Sequence, residues 1–496
     1  MAEISSMLKE ALELHQNNNL DEAQEIYLKI LENDPKNAEA LDFLGLVFLA
    51  KGEFNKAEDY IKKAIDLNPN NYFCGNLAKV YFHKKEFNKT IDMYKLLLET
   101  DSNNVDYLFN LALSYKNIQE HNLAIEYYNK LLEIRPNMYE AFFNIASIYF
   151  DLGETDLAIK YYNKILETDP DDNEATYFIA LAYMKNREYS KGWKFFENRL
   201  CRKSAVMTQE HTYPNLMKKA KLWQGEDVPD KTIYTYYEAG FGDVLMFARY
   251  LPLLQEKCKK IVLKPQQPLS KLLKENFPNI DVMEYFNQEK DVDFDYHVPL
   301  LSLPYTLGLD ESNMFIFKEG YLKSNKERAD FYREYFFNND KFKVAIKWQG
   351  NTQYDWDRVI DINSFTKLFG IENTKFYSFQ TFDGSEELEK INKDYDIADI
   401  GKTLENFSDT AAAIENMDLV ICNDTSLVHV AAAMGKPCYV LLPYVYNWRW
   451  HKDLSHCDWY DSVKIFRQKS PGDWDGVFDE IYDYMNESNI CKVTKS

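Results

Sequence analysis

Three short stretches of this 496-residue chain set charged or hydrogen-bonding side chains where an anion or a hydroxyl could meet them. The first follows the apolar run TIYTYYEA (232–239), where Gly240-Phe241-Gly242-Asp243 opens the amphipathic pattern VLMFARYLPLL. This order predicts strand, glycine turn and helix. Glycines let the backbone close on a ligand, and a helix start offers free N–H groups to an anion; a plain tight turn reads the same. The second stretch, KVAIKWQGN (343–351), predicts a buried strand running into a polar loop with Lys347, Gln349 and Asn351. DWDR follows, and Lys347 and Arg358 are candidate anion partners. The third, DLVICNDTSLVHVAAAMGKPCYVLLP (418–443), predicts an apolar strand, the helix-capping cluster Asn423-Asp424-Thr425-Ser426, a helix ended by Gly435, and a second apolar strand. In an open parallel sheet ligands bind at the carboxyl ends of strands, where the amides of the next helix can hold a diphosphate. Asp424 then either caps the helix or accepts a ribose hydroxyl. His429, one turn in, lies near the same edge as a ligand group or as a satisfied structural histidine.

These elements sit in a large acidic chain. At roughly 100–200 residues per domain the length predicts about three domains. Apolar residues make up 46% and aromatics 15%, too much core-forming material for a disordered chain. The formal net charge is −21, with acidic excess in both halves, which disfavours sequence-independent binding to nucleic acid or an anionic membrane. No window reaches the ~18 apolar residues of a membrane span and the first residues lack a secretory signal, so the expected compartment is the cytoplasm. The seven cysteines form no C-x-x-C pair and read as buried thiols rather than a zinc or disulfide framework.

The first 200 residues repeat with a period of 34, marked by Pro35, Pro69, Pro136 and Pro170, with one unit a residue short. Small residues recur at Ala11, Gly45, Ala78, Ala112, Ala146 and Ala180. Twelve positions later stand Ala23, Ala57, Thr90, Ala124, Ala158 and Gly192, and four beyond these Tyr27, Tyr94, Tyr128, Tyr162 and Phe196. The pattern resembles the tetratricopeptide family, six helix-turn-helix units whose stacking forms a superhelix with a binding groove. Asn76, Asn110 and Asn144 share one phase in three consecutive units, while Phe43 and Phe178 hold it at the ends. A row of amides can hydrogen-bond the main chain of an extended peptide without reading its sequence. The row resembles the asparagine ladder of the nucleocytoplasmic O-linked N-acetylglucosamine transferases.

Beyond residue 230, strand-like and helix-like segments alternate, which predicts an α/β region in two lobes. The motifs YYEAGFGDVLMFARYLPLL (236–254), VAIKWQGN (344–351), DTSLVHVAAAMGKP (424–437), YNWRW (446–450), WY (459–460) and FRQKSPGDW (466–474) resemble, in this order, the family 9 (heptosyltransferase-like) glycosyltransferases. The resemblance is closer still to proteins that fuse tetratricopeptide repeats to such a domain. It implies a GT-B fold of two Rossmann-like lobes with the nucleotide sugar in the cleft, mainly on the C-terminal lobe. The expected organisation is a repeat superhelix over 1–200, a connecting segment over 201–230, an N-terminal lobe over 231–335 and a C-terminal nucleotide-sugar lobe over 336–496.

By this resemblance Asp243 matches the acidic residue proposed as the base for the acceptor hydroxyl, with Glu238 a second candidate for the base or for placing the acceptor. Lys347 matches the phosphate-side lysine, and the N–H groups of Thr425 and Ser426 would neutralise the leaving group. Gly240, Gly242, Gln349, Asn351, Arg358, Asp424, His429, Trp448 and Arg449 complete the expected donor site. Arg358 and Arg449 have structural ion pairs as their alternative, and Trp448 and Trp450 either stack on a ring or pack. Asp291-Val292-Asp293-Phe294-Asp295 contains the D-x-D of metal-dependent sugar transferases, but it stands in a strand-like stretch, and neither a metal nor a cofactor is expected beyond the donor as co-substrate. The fusion points to transfer of a sugar onto Ser or Thr of a protein held along Asn76, Asn110 and Asn144, with flagellin the favoured acceptor by resemblance. The alternatives are a heptosyltransferase-like enzyme of surface polysaccharide synthesis and a repeat scaffold without catalysis.

Overall fold

A computed structural model of the chain describes residues 2–202, 220–284, 292–350, 358–451, 455–488 and 490. Two compact units result, Met1–Ala175 and Thr176–Ser496. Among the described residues no helix is long and apolar enough to cross a membrane.

The first unit is built from antiparallel helix pairs: Ala2–Gln16 with Leu20–Asn33, Ala38–Ala50 with Phe54–Leu67, Asn71–His83 with Phe87–Thr100, Val105–Asn117 with His121–Ile134, and Tyr139–Asp151 with Thr155–Leu166. The recurring small residues are the points of closest approach between paired helices. A β-carbon added at Gly45 would lie 2.5 Å from Ile61 and 3.1 Å from the carbonyl of Ala57. Tyr27, Tyr94, Tyr128 and Tyr162 are fully enclosed in the layers between units. Asn37, Asn70 and Asn104 cap first helices by accepting the N–H of Ala40, Phe73 and Tyr107 at 3.0–3.1 Å. A left-handed residue precedes each second helix: Asn18, Gly52, Lys85, Gln119 and Gly153, with φ between +61° and +77°. The step from Gly52 to Lys85 is one residue shorter than the others, which locates the short unit at this turn.

A sixth helix pair, Asn173–Lys185 and Tyr189–Phe196, falls in the second unit from Thr176 onward, and the unit continues into two all-parallel sheets. The first contains β1 (Lys221–Leu222), β2 (Val228–Tyr236), β3 (Cys258–Lys264), β4 (Asp281–Val282) and β5 (Tyr296–Pro299) in the order β1-β5-β2-β3-β4. The second contains β6 (Phe342–Lys347), β7 (Thr374–Ser378), β8 (Ala398–Asp399), β9 (Leu419–Asn423), β10 (Cys438–Leu442) and β11 (Val463–Arg467) in the order β11-β10-β9-β6-β7-β8. Helices cover both faces, so β9 and β10 are buried along their whole length and read as continuous apolar runs rather than alternating ones. In the second sheet the strand order reverses between β6 and β9, and in the first between β2 and β5. A crevice therefore opens beyond the carboxyl ends of each of these neighbouring strands.

Two boundaries fall away from their sequence-based positions. The segment read as a connection contributes β1 and the start of β2, because Lys221 and Leu222 pair with Tyr296 and His297. The sixth helix pair groups with the sheets, since Tyr189, Trp193 and Phe196 lie in one continuous apolar core with Val244, Phe247, Val428 and Trp459. A second core, with Ile346, Phe365, Leu419 and Phe478, lies on the other face of the second sheet.

Candidate active site

The glycine turn follows β2. Gly240 stands before the helix Phe241–Phe247, and Asp243 Oδ2 accepts the Gly240 N–H at 3.1 Å, closing the first turn. The other carboxylate oxygen, Oδ1, meets Arg449 Nη2 in an ion pair. Arg449 is held in turn by Asn447, whose Oδ1 accepts from Nη1 at 2.8 Å, and its guanidinium lies 4.6 Å from the ring centre of Trp448. Burial pulls this guanidinium down to about 10, still far above neutrality, so it meets Asp243 as a cation. The residue read as the base and one of those read as donor-binding are thus direct partners.

Gly242 is where the turn touches its opposite wall. A β-carbon there would sit 2.7 Å from His429 Cδ2, so the absence of a side chain permits the approach. The imidazole is fixed by Tyr460, whose Oη is 3.1 Å from Nδ1, and by stacking on Trp450 with centroids 5.8 Å apart. Burial, with the nearby guanidinium groups of Arg249 and Arg358, lowers its pKa to about 3, leaving a neutral ring at physiological pH.

The crevice between β6 and β9 holds the other candidates. Lys347 ends β6, next to Cys422 of β9 in register, and is 8% exposed. Its ammonium has Thr381 Oγ1 at 3.4 Å, and among the described residues no carboxylate lies within ion-pair distance. Burial lowers it to about 8, so at neutral pH it remains a desolvated cation. Asp424 follows β9. Burial raises its carboxyl above the ordinary range, opposed by Arg358, whose Nη1 lies 3.5 Å from Oδ2 and 3.3 Å from the Asp424 carbonyl. Asn423 Nδ2 donates to the Arg358 carbonyl at 2.9 Å, tying the same two segments together.

The expected capping cluster forms differently. Thr425 occupies the position before the helix Ser426–Ala433, yet its own side chain makes no cap hydrogen bond. The Thr425 hydroxyl turns back to the Asn423 carbonyl at 3.4 Å, and the Asp424 carboxylate faces Arg358. Among the described residues the first amides of this helix therefore carry no side-chain cap. The end signal forms as read, because Gly435 takes φ +71° with the Glu319 carbonyl 2.4 Å from where a β-carbon would be.

Gln349 lies against Gly384, and its backbone N–H donates at 3.1 Å to Gln380, a residue that sequence reasoning missed. Gln380, 1% exposed, also accepts from the Trp348 N–H at 3.2 Å and donates to the carbonyls of Gln349 and Asp383. It locks together the loops after β6 and β7. The available signal was the polar pair Gln380-Thr381, one residue beyond the end of β7. Asn351 lies outside the described residues.

Other candidates are tied up in packing or ion pairs. Trp448 edges against Trp193 and Trp459 at 5.7 and 5.9 Å, and Trp450 is fully enclosed beside His429. Glu238 is held in a fork by Arg199, at 2.6 Å from Nη2 and 3.1 Å from Nε. Of the D-x-D stretch, Asp291 lies outside the described residues, and Asp295 pairs with Lys231 while accepting the Thr232 N–H. In the first unit, Asn76 is buried and donates to Asp42 Oδ2 at 2.8 Å, whereas Asn110 and Asn144 donate to carbonyls four residues back. Asn144 also accepts from Lys116 Nζ at 3.0 Å. Among the cysteines Cys258, Cys422, Cys438 and Cys457 are buried, Cys74 is partly so and Cys201 is exposed.

Comparison with known proteins matches separate parts of the chain to different families. Residues 8–72, 105–138 and 139–172 match tetratricopeptide repeat families. Residues 355–442 match glycosyltransferase family 9 (heptosyltransferase). The chain is 21% identical over 322 residues to Protein FlbA of Caulobacter vibrioides, an alignment covering 59% of this chain and 51% of that protein. It thus spans about half the length of the curated relative it matches. Similar solved structures include MamA (28% identity, 33% of this chain and 96% of that one, TM-score 0.30) and a tetratricopeptide repeat protein from Parabacteroides merdae (18%, 40% and 80%, 0.36). YrrB, described as a TPR protein with an unusual peptide-binding site, gives 20%, 38% and 97%, and 0.31. The chain carries tetratricopeptide repeats and a glycosyltransferase family 9, heptosyltransferase-like, domain.

Proposed function

We propose that this protein transfers a sugar from a nucleotide-sugar donor to a Ser or Thr hydroxyl of a protein acceptor engaged by the repeats. The family 9 domain supports glycosyl transfer, and one observation carries the site assignment. Lys347 is a buried cation without a carboxylate partner among the described residues, placed where the strand order reverses and near a helix start whose N-cap residue, Thr425, makes no side-chain cap bond. A donor diphosphate supplies the missing negative charge, taking Lys347 and the amides following Thr425. Arg358 and Asp424 bound the same crevice, where Asp424 accepts a ribose hydroxyl. These groups supply the charge neutralisation for which other transferases use a divalent cation, and the proposed reaction is metal-independent.

In the transfer step the acceptor hydroxyl oxygen forms a bond to the anomeric carbon, and its proton passes to Asp243. The bond from that carbon to the phosphate oxygen breaks, and its electron pair leaves with the phosphate. Arg449 engages one carboxylate oxygen of Asp243, which fixes the group where it places the hydroxyl. Glu238, bound to Arg199, holds the turn that carries Asp243. The repeats raise the effective concentration of a protein acceptor, with Asn76, Asn110 and Asn144 proposed along the groove. Flagellin is the acceptor to test first, because the fusion resembles flagellin-modifying transferases, and the proposed compartment is the cytoplasm.

The test incubates the full chain with flagellin and, in turn, UDP-, ADP-, GDP- and CMP-sugars, and reads the acceptor by intact mass. The expected result is a mass gain on Ser or Thr with one donor, absent with Asp243→Asn and with Lys347→Met. Nucleotide binding without a gain on any protein would move the acceptor to a glycan. Absence of both binding and transfer would leave a scaffold.

A further inference from the structure

We propose that the sixth helix pair belongs to the catalytic cleft, and that Trp193 within it sets the reach between Asp243 and Arg449. This rests on the transferase reading above. Trp193, 1% exposed, is wedged between the two segments that carry the pair. One side meets Phe247, on the helix of Asp243, edge to face at 5.7 Å; the other meets Trp448, the neighbour of Arg449, at 5.7 Å. The helix and the turn that follows it grip each segment a second time. Tyr189 Oη lies 2.7 Å from His451 Nε2, two residues beyond Arg449, and Arg199, one turn after the helix ends, holds Glu238 ahead of the glycine turn. Asp243 and Arg449 are 206 residues apart in sequence and follow strands of different sheets, β2 and β10. A rigid aromatic spacer touching both sides fixes their separation, and an error of about 1 Å in such a separation can cost about a hundredfold in rate. Trp193 touches neither reacting group, so its role is positional.

The full chain with Trp193→Ala, Trp193→Phe or Tyr189→Phe is assayed for nucleotide release from UDP-N-acetylglucosamine, ADP-glucose, GDP-mannose and CMP-N-acetylneuraminate. Amide hydrogen exchange is followed in parallel. Trp193→Ala is expected to lower kcat about a hundredfold while the donor KM moves less than about threefold, and Trp193→Phe to recover most of the loss. Exchange should accelerate in both 241–247 and 446–451, with 419–423 unchanged. Tyr189→Phe, which deletes only a hydroxyl, should accelerate 446–451 and lower kcat more weakly, and it carries the test if Trp193→Ala fails to fold. A folded Trp193→Ala protein with unchanged kcat, or with faster exchange in only one of the two segments, overturns the inference. If the wild type releases nucleotide from none of the four donors, the transferase reading falls, and the exchange pattern alone decides whether Trp193 holds both segments.

Discussion

Replacing Lys347 by Met removes a charge while keeping an unbranched side chain of similar length. Burial lowers the ammonium from 10.5 to about 8, a difference worth about 3 kcal/mol at ~1.4 kcal/mol per unit of pKa. At pH 7 that is the cost of keeping a desolvated cation without a carboxylate, and Lys347→Met should return most of it. The second unit of the variant should therefore melt about 4 °C higher than the wild type when no nucleotide is present. With a nucleoside diphosphate at ~100 times its Kd, the wild type gains about 2.7 kcal/mol and the variant far less, so the order of stabilities closes or reverses. The pH dependence gives an independent check. Below pH 8 both folded and unfolded chains hold the proton; between pH 8 and 10.5 only the unfolded chain does, so wild-type stability climbs across that window and the climb disappears in Lys347→Met. Calorimetry of the second unit's transition at pH 7 and pH 10, with and without UDP, ADP, GDP and CMP, measures all of these. A variant that melts lower than the wild type, with its nucleotide shift intact, would refute the account and make Lys347 a structural residue.

Three further outcomes follow from single contacts. Gly242→Ala puts a methyl group 2.7 Å from a histidine pinned by Tyr460 and Trp450, costing about 1–3 kcal/mol in the second unit. Combining it with His429→Ala should cost clearly less than the two single changes summed, and strict additivity in urea melts would contradict the contact. Gln380→Ala strands the buried amides of Trp348 and Gln349 and should destabilise the same unit by about 2–4 kcal/mol, measured by urea denaturation. In the repeats, burial raises Asp42 to about 7, so its contribution is fully present below about pH 4 and is lost as pH rises through 7, by up to about 4 kcal/mol. Asp42→Asn should flatten this decline and leave the repeat transition more stable at pH 8, as read by thermal melts from pH 4 to 8.

What could be read in advance was whatever repeats or runs locally. The 34-residue period located the helix pairs, because each unit reuses the same small contact points, and the apolar runs of β6, β9 and β10 located the second sheet. The tip of β9 was legible as a place, though the behaviour of its side chains was not. Thr425 forgoes the cap that its type favours, because Asn423, Asp424 and Arg358 draw that loop into a separate hydrogen-bond set. Pairings across the chain were not legible at all. Arg449 with Asp243, Arg199 with Glu238 and Trp193 between Phe247 and Trp448 join residues whose spacing carries no period, and they exist only once both sheets and the sixth helix pair are in place. Gln380 escaped notice because an amide between two strands has no signature except the polar tip around it.

The sixth helix pair shares one apolar core with both sheets, and this changes what is interchangeable in the molecule. Arrays of helical repeats lengthen or shorten by whole units at little cost, since each depends on its immediate neighbours. Such freedom extends here to the pairs before residue 175 and stops there. A chimera that exchanges repeats should therefore splice ahead of Asn173, carrying the whole sixth pair with the sheets. A junction at residue 200 would strip Tyr189, Trp193 and Phe196 from that core and leave the two sheets with an exposed apolar face.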